Sequence, residues 1–300
     1  MAETSATIGF VGLGHMGGSM TERLLAMGYT VYGEAQSQEE AQHLIEKGLH
    51  WRDTARQVAE AADVVFTSLP DDGVLEEVAS GPDGILAGLT AGKTWVDMST
   101  VSTLTSRKLA TRVRSSGATM LDAPVSGSVP QVEAGTLTIM VGGEEEAFTR
   151  VEPILAHLGT PTHIGGNGQG LALKLAINIS LAVQMLAFSE GLLLAEASGV
   201  DQQLALDVMA ASAIGSPMLK ARAPIILNPP TDAWFDMRLM HKDIQLALDA
   251  ARQLQIPLPS ADRVSSVIDR ARALGYERQD IAALFRALEQ IANRGPARSR

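Results

Sequence analysis

A short apolar run that breaks into three spaced glycines limits what this chain can fold into more than any other feature. Residues 7–20 read Thr7-Ile8-Gly9-Phe10-Val11-Gly12-Leu13-Gly14-His15-Met16-Gly17-Gly18-Ser19-Met20. Ile8 to Val11 has the composition of a buried strand, and helical apolar spacing follows through Leu24 and Leu25. In such a turn Gly12 permits the tight bend, Gly14 lets backbone amides approach a pyrophosphate, and Gly17 lets the helix pack against the strand. The helix N-terminus adds free N–H groups and the positive end of its dipole. Gly12, Leu13, Gly14, His15, Met16 and Gly17 are therefore read as a dinucleotide cradle. The alternative is an ordinary glycine-rich turn of an α/β protein.

The first half of the chain keeps alternating. Strands are expected at 30–32, 63–69, 93–98, 119–121 and 136–141, with helices at 39–47, 74–80 and 103–116. From Gly170 onward no strand pattern is found, and helices are expected over 171–198, 204–212, 217–222, 243–254, 261–274 and 280–291. A chain of 300 residues suits two domains. The glycine-rich stretch 165–170 marks the boundary, giving a dinucleotide-binding domain over 1–166, an all-helical substrate and dimerisation domain over 167–294, and a frayed tail over 295–300.

The helical pattern over 171–198 is apolar nearly all round, interrupted by Lys174, Asn178, Gln184 and Glu190. Those polar residues argue against a membrane span. A helix of this kind must be buried on several sides, in a domain core, between two subunits, or both.

Composition excludes several functions. A net charge of −10 argues against nucleic-acid binding as a main activity. The absence of cysteine excludes disulfides, thiolate catalysis and cysteine-ligated zinc. His15 and His241 are not at metal-ligand spacing, so no metal is assigned. The first six residues lack a basic region followed by an apolar stretch, so no secretory signal is expected and a soluble cytoplasmic protein is the default.

Candidate chemistry lies after the strands. Glu34 follows the second strand, where a dinucleotide fold places an acid on the adenosine ribose hydroxyls. A carboxylate there repels a 2′-phosphate, and 35–40 contains no cation, so NAD is favoured and NADP remains possible. Leu69 and Pro70, within Ser68-Leu69-Pro70-Asp71, and Ser99 and Thr100 follow strands at the edge where ligands bind open α/β sheets. Helix capping serves equally well for Ser99 and Thr100. Ser126, Gly127 and Ser128 form a small hydroxyl and amide nest suited to a carboxylate, or a structural loop.

Gly168-x-Gly170-x-x-x-Lys174-x-x-x-Asn178 places a lysine and an asparagine four apart on one helix face among apolar residues. A desolvated lysine can serve as acid or base near neutrality, with Asn178 holding the ammonium or the substrate oxygen. A lysine snorkelling from the helix start fits the same spacing. Lys242-Asp243 opens a later expected helix, where Asp243 suits a cap and Lys242 an anion contact.

Taken together, the motifs resemble the β-hydroxyacid dehydrogenase family over roughly residues 7–290. Gly12 to Gly17, Asp97-Met-Ser-Thr100, Asp122-Ala-Pro-Val-Ser-Gly-Ser128, Gly168-Gln-Gly-x-x-x-Lys174-x-x-x-Asn178 and Lys242-Asp243 match in order. The resemblance implies an α/β Rossmann domain with a second, all-helical domain joined by a long interdomain helix, which also forms the dimer. It implies hydride transfer between a nicotinamide cofactor and a small 3-hydroxy acid or semialdehyde. Lys174 is then the catalytic lysine, Asn178 its partner, Ser126 to Ser128 the carboxylate loop, and Thr100 and Lys242 cofactor contacts. Two departures stand out. Ser128 replaces a common glycine, which narrows the pocket. Gly33-Glu34-Ala35 replaces the Asn-Arg-Ser/Thr of many NADP-using relatives. Homodimer and homotetramer both fit. Imine reductases share this fold but commonly lack the lysine, as do non-catalytic relatives that use the fold for interaction.

Overall fold

The computed structural model of the chain describes residues 6–231 and 233–292. The expected tail at 295–300 lies outside the described residues. Two compact units divide the chain, Met1–Lys174 and Leu175–Arg300. The division lies inside one long helix.

Among the described residues the first unit carries nine strands: β1 Ile8–Val11, β2 Val31–Glu34, β3 His50–Trp51, β4 Val64–Thr67, β5 Thr94–Asp97, β6 Thr119–Asp122, β7 Val125–Ser126, β8 Leu137–Gly142 and β9 Gly159–Gly165. They form one sheet in the order β3-β2-β1-β4-β5-β6-β8-β7, with β9 also paired to β8. Pairing is parallel from β3 through β6 and between β8 and β9. It is antiparallel where β8 meets β6 and β7. The strand order reverses between β1 and β4, which opens a ligand crevice beyond their carboxyl ends.

Successive strand residues point to opposite faces. Ile8, Phe10, Phe66 and Val96 join one core, with Leu24 and Leu137. Val11, Val65 and Trp95 join the other, with Val58, Leu75 and Leu109. A strand covered on both faces must be continuously apolar, which is why β1, β4 and β5 are legible in the sequence.

Where expectation and structure differ, the reasons are local. β3 with the helix Ala55–Ala61, and the helix Glu145–Leu155 with β9, were not anticipated. β3 has two residues. β9 reads Gly-Thr-Pro-Thr-His-Ile-Gly and pairs only with β8, an edge position where Pro161 is tolerated. The helix Glu145–Leu155 contains Pro153. The helix expected at 39–47 contracts to Gln42–Ile45. Between the expected strands 119–121 and 136–141 lie β7 and the helix Val129–Ala134.

The second unit is helical, with Gln202–Ala211, Pro217–Leu227, Met237–Leu254, Pro259–Ala271 and Leu284–Ile291 beside the remainder of the long helix Gln169–Ala197. Phe188, Ile226, Met240, Ile244, Val264 and Phe285 form its core. Within it Arg222 Nε contacts the buried Asp280 Oδ1 at 3.3 Å, and Asp280 also accepts from the Phe235 and Ala282 N–H groups.

By length and composition alone Gln169–Ala197 is apolar enough to cross a membrane, its polar interruptions notwithstanding. It also buries Asn178 and Ser189 and packs Met185, Phe188 and Leu192 into the second unit's core, as the core helix of a globular domain does. Its most apolar stretch is only 39% buried, and Leu194 on it is 69% exposed.

Candidate active site

The glycine turn differs at each of its three positions. Gly12 has φ +90°, and a Cβ there would stand 2.5 Å from the Ser68 carbonyl. A Cβ at Gly17 would stand 1.9 Å from the Gly12 carbonyl, so only glycine lets the helix His15–Ala26 begin there. A Cβ at Gly14 would meet no protein atom within 4 Å. Packing does not demand glycine at that position, and the open space leaves the backbone accessible to a ligand. This donor set fits a dinucleotide pyrophosphate. Leu13 and Met16 turn their side chains to the core, so both offer the turn only their backbone, while His15 is exposed.

The Gly12 N–H donates to the Glu34 carbonyl at 3.1 Å. Glu34 is the last residue of β2 rather than following it, because the strand runs two residues beyond the expected end. Its half-buried carboxyl is pushed up to about 7 by burial alone.

Next to the turn, β4 and β5 end in a buried network. Asp97 Oδ1 accepts from Thr67 Oγ1 at 2.7 Å, Ser99 Oγ at 2.6 Å and the Ser99 N–H at 3.2 Å. Ser99 Oγ accepts in turn from the Leu69 N–H at 2.9 Å. Ser99 is therefore a strut between two loops, and its hydroxyl proton is held by Asp97. Capping of the helix Thr103–Arg114 belongs to Ser102, which accepts from the Thr105 N–H. The capping role considered for Ser99 and Thr100 is thus corrected. Thr100 is half-buried beside this network and Pro70 is exposed.

Asp122, the first residue of the Asp122–Ser128 motif, organises this edge. It is fully buried at the end of β6, paired in register with Asp97 on β5. Its Oδ1 accepts from the Gly168 N–H at 2.6 Å and its Oδ2 from the Leu171 N–H at 3.0 Å. Those are orphan donors of the first turn of Gln169–Ala197, so Asp122 caps that helix from another strand. Burial pushes its carboxyl up to about 6 against these donors. A Cβ at Gly170 would lie 2.3 Å from the Met140 carbonyl and 2.9 Å from Asp122 Oδ2, which explains the glycine before Lys174. Lys174 is half-buried in the second turn of the helix.

The loop after β6 carries Ser126, Gly127 and Ser128. Gly127 has φ +137° and Ser128 begins the helix Val129–Ala134. The Ser128 N–H and hydroxyl both donate to Gln131 Oε1, at 2.9 Å and 3.0 Å. Two donors of the expected anion nest thus face a carboxamide oxygen in this structure. The Ser-x-x-Gln spacing is the legible signal of this arrangement.

In the second unit, Lys242 and Asp243 do not open a helix. Met237–Leu254 begins at Asp236, whose carboxylate accepts from the Leu239 N–H at 2.7 Å. The cap role considered for Asp243 is thereby overturned. The buried Met237 and Met240 extend the apolar stripe of this helix to its first turn. Asp243 lies mid-helix, 2% exposed, and its Oδ2 accepts from Asn178 Nδ2 at 2.6 Å. Lys242 Nζ lies 3.0 Å from Asp243 Oδ1. His241 contacts Asp269 and Arg272 on its two ring nitrogens, and burial lowers its pKa. Among the described residues no group of three His, Cys, Asp or Glu is placed to hold a metal.

Two family models cover this chain in succession. Residues 7–166 match the NAD binding domain of 6-phosphogluconate dehydrogenase, and residues 168–288 match the NAD-binding domain of NADP-dependent 3-hydroxyisobutyrate dehydrogenase. The chain belongs to the β-hydroxyacid dehydrogenase family. It is 36% identical over 291 residues to 2-(hydroxymethyl)glutarate dehydrogenase of Eubacterium barkeri, covering 96% of this chain and 97% of that one. It is 36% identical over 287 residues to 2-hydroxy-3-oxopropionate reductase of Escherichia coli K12, covering 95% and 98%. The structure of Mycobacterium tuberculosis 3-hydroxyisobutyrate dehydrogenase with L-serine superposes with a TM-score of 0.84 at 30% identity, covering 95% of this chain and 99% of that one. This β-hydroxyacid dehydrogenase is thus an NAD(P)-binding oxidoreductase with a Rossmann-type first domain and a helical second one, as the resemblance implies.

Proposed function

We propose that this protein transfers a hydride reversibly between a nicotinamide cofactor and a small 3-hydroxy acid or its semialdehyde, with Lys174 as general acid and base. One observation carries the reading. Asp122 pins the first turn of the lysine's helix to the carboxyl end of β6, the strand that leads into Ser126, Gly127 and Ser128. Lys174, one turn later, thereby stands on a fixed backbone at the edge of the sheet where α/β folds hold their ligands.

Gly12 to Gly17 would hold the cofactor's pyrophosphate and Glu34 its adenosine ribose. Leu69, Pro70, Ser99 and Thr100 would line the rest of its path, Ser99 mainly by keeping the Leu69 turn in place; the family resemblance assigns Lys242 a cofactor contact. Bound NAD(P) supplies the hydride acceptor or donor. In the oxidising direction Lys174 Nζ accepts the hydroxyl proton as hydride leaves the carbinol carbon. In the reducing direction it returns that proton to the carbonyl oxygen. Ser126, Gly127 and Ser128 fix the substrate carboxylate, with Gln131 Oε1 yielding the Ser128 donors to it. Held at that end, the substrate keeps its reacting carbon in one place.

Glu34 favours NAD over NADP. The relatives' names supply the substrates to try first: 3-hydroxyisobutyrate, 2-hydroxy-3-oxopropionate and 2-(hydroxymethyl)glutarate. The incompletely covered apolar helix Gln169–Ala197, together with the exposed Leu204 and Val208, supports assembly as a homodimer or a pair of dimers. The test is a panel of hydroxy acids and semialdehydes with each cofactor, scored by kcat/KM, with a cyclic imine alongside. Turnover of a 3-hydroxy acid supports the reading, and turnover of the imine alone refutes it.

A further inference from the structure

Asn178, by the family resemblance the partner of the catalytic lysine, forms with Asp243 a buried pair to which the proposed reaction gives no role. They come from two helices, Gln169–Ala197 and Met237–Leu254, and are 1% and 2% exposed. Asn178 Nδ2 donates to Asp243 Oδ2 at 2.6 Å. The other end of the amide, Oδ1, is equally enclosed and has no hydrogen-bond partner among the described residues. Buried polar atoms are rarely left in this state without a functional reason.

The chemistry of the pair fixes which way the amide points. A carboxylate oxygen accepts and has no proton to give. Asp243 therefore admits the NH2 end of Asn178 and rejects its carbonyl end. Lys242 Nζ makes an ion-pair contact with Asp243 Oδ1 at 3.0 Å, and that oxygen, like Asn178 Oδ1, has no hydrogen-bond partner among the described residues. With Nδ2 committed, Oδ1 is turned away from Asp243 as an acceptor.

We propose that Asp243 is a positioning residue that sets the Asn178 amide so that Oδ1 receives a proton donor of the reaction, an ammonium or an alcohol hydroxyl. The inference rests on the reading of Asn178 as part of the hydride-transfer machinery. It also narrows that reading. One amide N–H is taken by Asp243, so the feature Asn178 presents is its acceptor. An acceptor orients the lysine ammonium, or the substrate O–H before its proton leaves.

The test compares D243N, the exchanged pair N178D/D243N, and N178A, each checked for melting temperature and NADH-binding stoichiometry. In D243N the side chain at 243 donates as well as accepts, so the Asn178 amide loses its unique orientation. Turnover then falls by up to about a hundredfold, with KM and NADH stoichiometry little changed. In the exchanged pair the amide at 243 donates to the carboxylate at 178, whose second oxygen is still an acceptor. That variant recovers at least about tenfold of the lost kcat, and its kcat–pH profile moves to higher pH because a carboxylate now stands where an amide did. A merely structural role moves melting temperature and active fraction but not the pH profile. The proposal is overturned if D243N keeps wild-type kcat, or if the exchanged pair, folded and binding NADH fully, turns over no faster than D243N. Should D243N melt far below wild type, the exchanged pair decides alone, and restored melting without restored turnover overturns the proposal. Wild-type kcat in N178A instead removes the reading of Asn178 on which the proposal stands.

Discussion

Raising the pH is expected to turn this enzyme against NADP, with Glu34 as the cause. The carboxyl of Glu34 is held at about 7 by burial at the end of β2. Its neutral fraction is then about nine tenths at pH 6 and about one tenth at pH 8. Two unit charges 4 Å apart interact by about 4 kcal/mol at an effective dielectric of about 20, and by roughly half of that for a half-exposed group. About 2 kcal/mol corresponds to roughly a thirtyfold loss of affinity, enough to make the ionised form nearly closed to a 2′-phosphate. Binding of NADP+ then follows the neutral fraction, and its Kd rises about tenfold between pH 6 and pH 8. NAD+ offers ribose hydroxyls, which donate best to the ionised carboxylate, so its Kd stays level or falls. The assay is calorimetric titration of both cofactors at fixed ionic strength, because screening changes the charge term. The 2′-phosphate itself ionises near pH 6, so E34Q is the control that retains this effect and loses Glu34's. A wild-type NADP-to-NAD Kd ratio that is flat with pH, or that changes equally in E34Q, refutes the reasoning. The linkage in the free protein has a definite sign. A carboxyl raised from 4.5 to about 7 contributes stability that is present below pH 4.5 and lost as pH rises through 7. E34Q should therefore melt above wild type at pH 8, and the gap should close toward pH 4.

Other outcomes follow from the same structure. G17A forces a Cβ to within 1.9 Å of the Gly12 carbonyl, so thermal melting should drop with a loss of about 1–3 kcal/mol. G14A meets no protein atom within 4 Å and should melt like wild type while losing cofactor affinity by titration. D122N leaves two backbone N–H groups facing an amide with only one acceptor. Denaturant unfolding should show a loss of about 1–3 kcal/mol. L194E/V208E places charge on apolar residues 69% and 60% exposed, and light scattering should find a smaller particle than wild type.

The first strand, the glycine turn and the alternation behind them were legible because a strand buried on both faces and a turn with steric demands leave marks in sequence. β3, β9 and the helix Glu145–Leu155 were not legible, because two-residue strands, edge strands and proline-bearing helices carry little periodic signal. At the site the residue types could be read but their commitments could not. Ser99 read as a ligand contact, and its hydroxyl serves Asp97 and Leu69. Asp243 read as a cap, because the helix was expected to begin there, and it lies buried against Asn178. Asp122 gave no sign of holding the lysine's helix, since its partners at Gly168 and Leu171 are some fifty residues away. Contacts between distant backbone amides and one carboxylate have no local pattern.

The central claim is that Lys174 moves the proton that accompanies hydride transfer. It is tested most directly by Lys174→Met, measuring single-turnover oxidation of NADH with the best semialdehyde from the panel, after NADH affinity has been matched to wild type. The account predicts unchanged NADH binding and a rate about a hundred- to ten-thousandfold lower. A wild-type rate in that variant would contradict it.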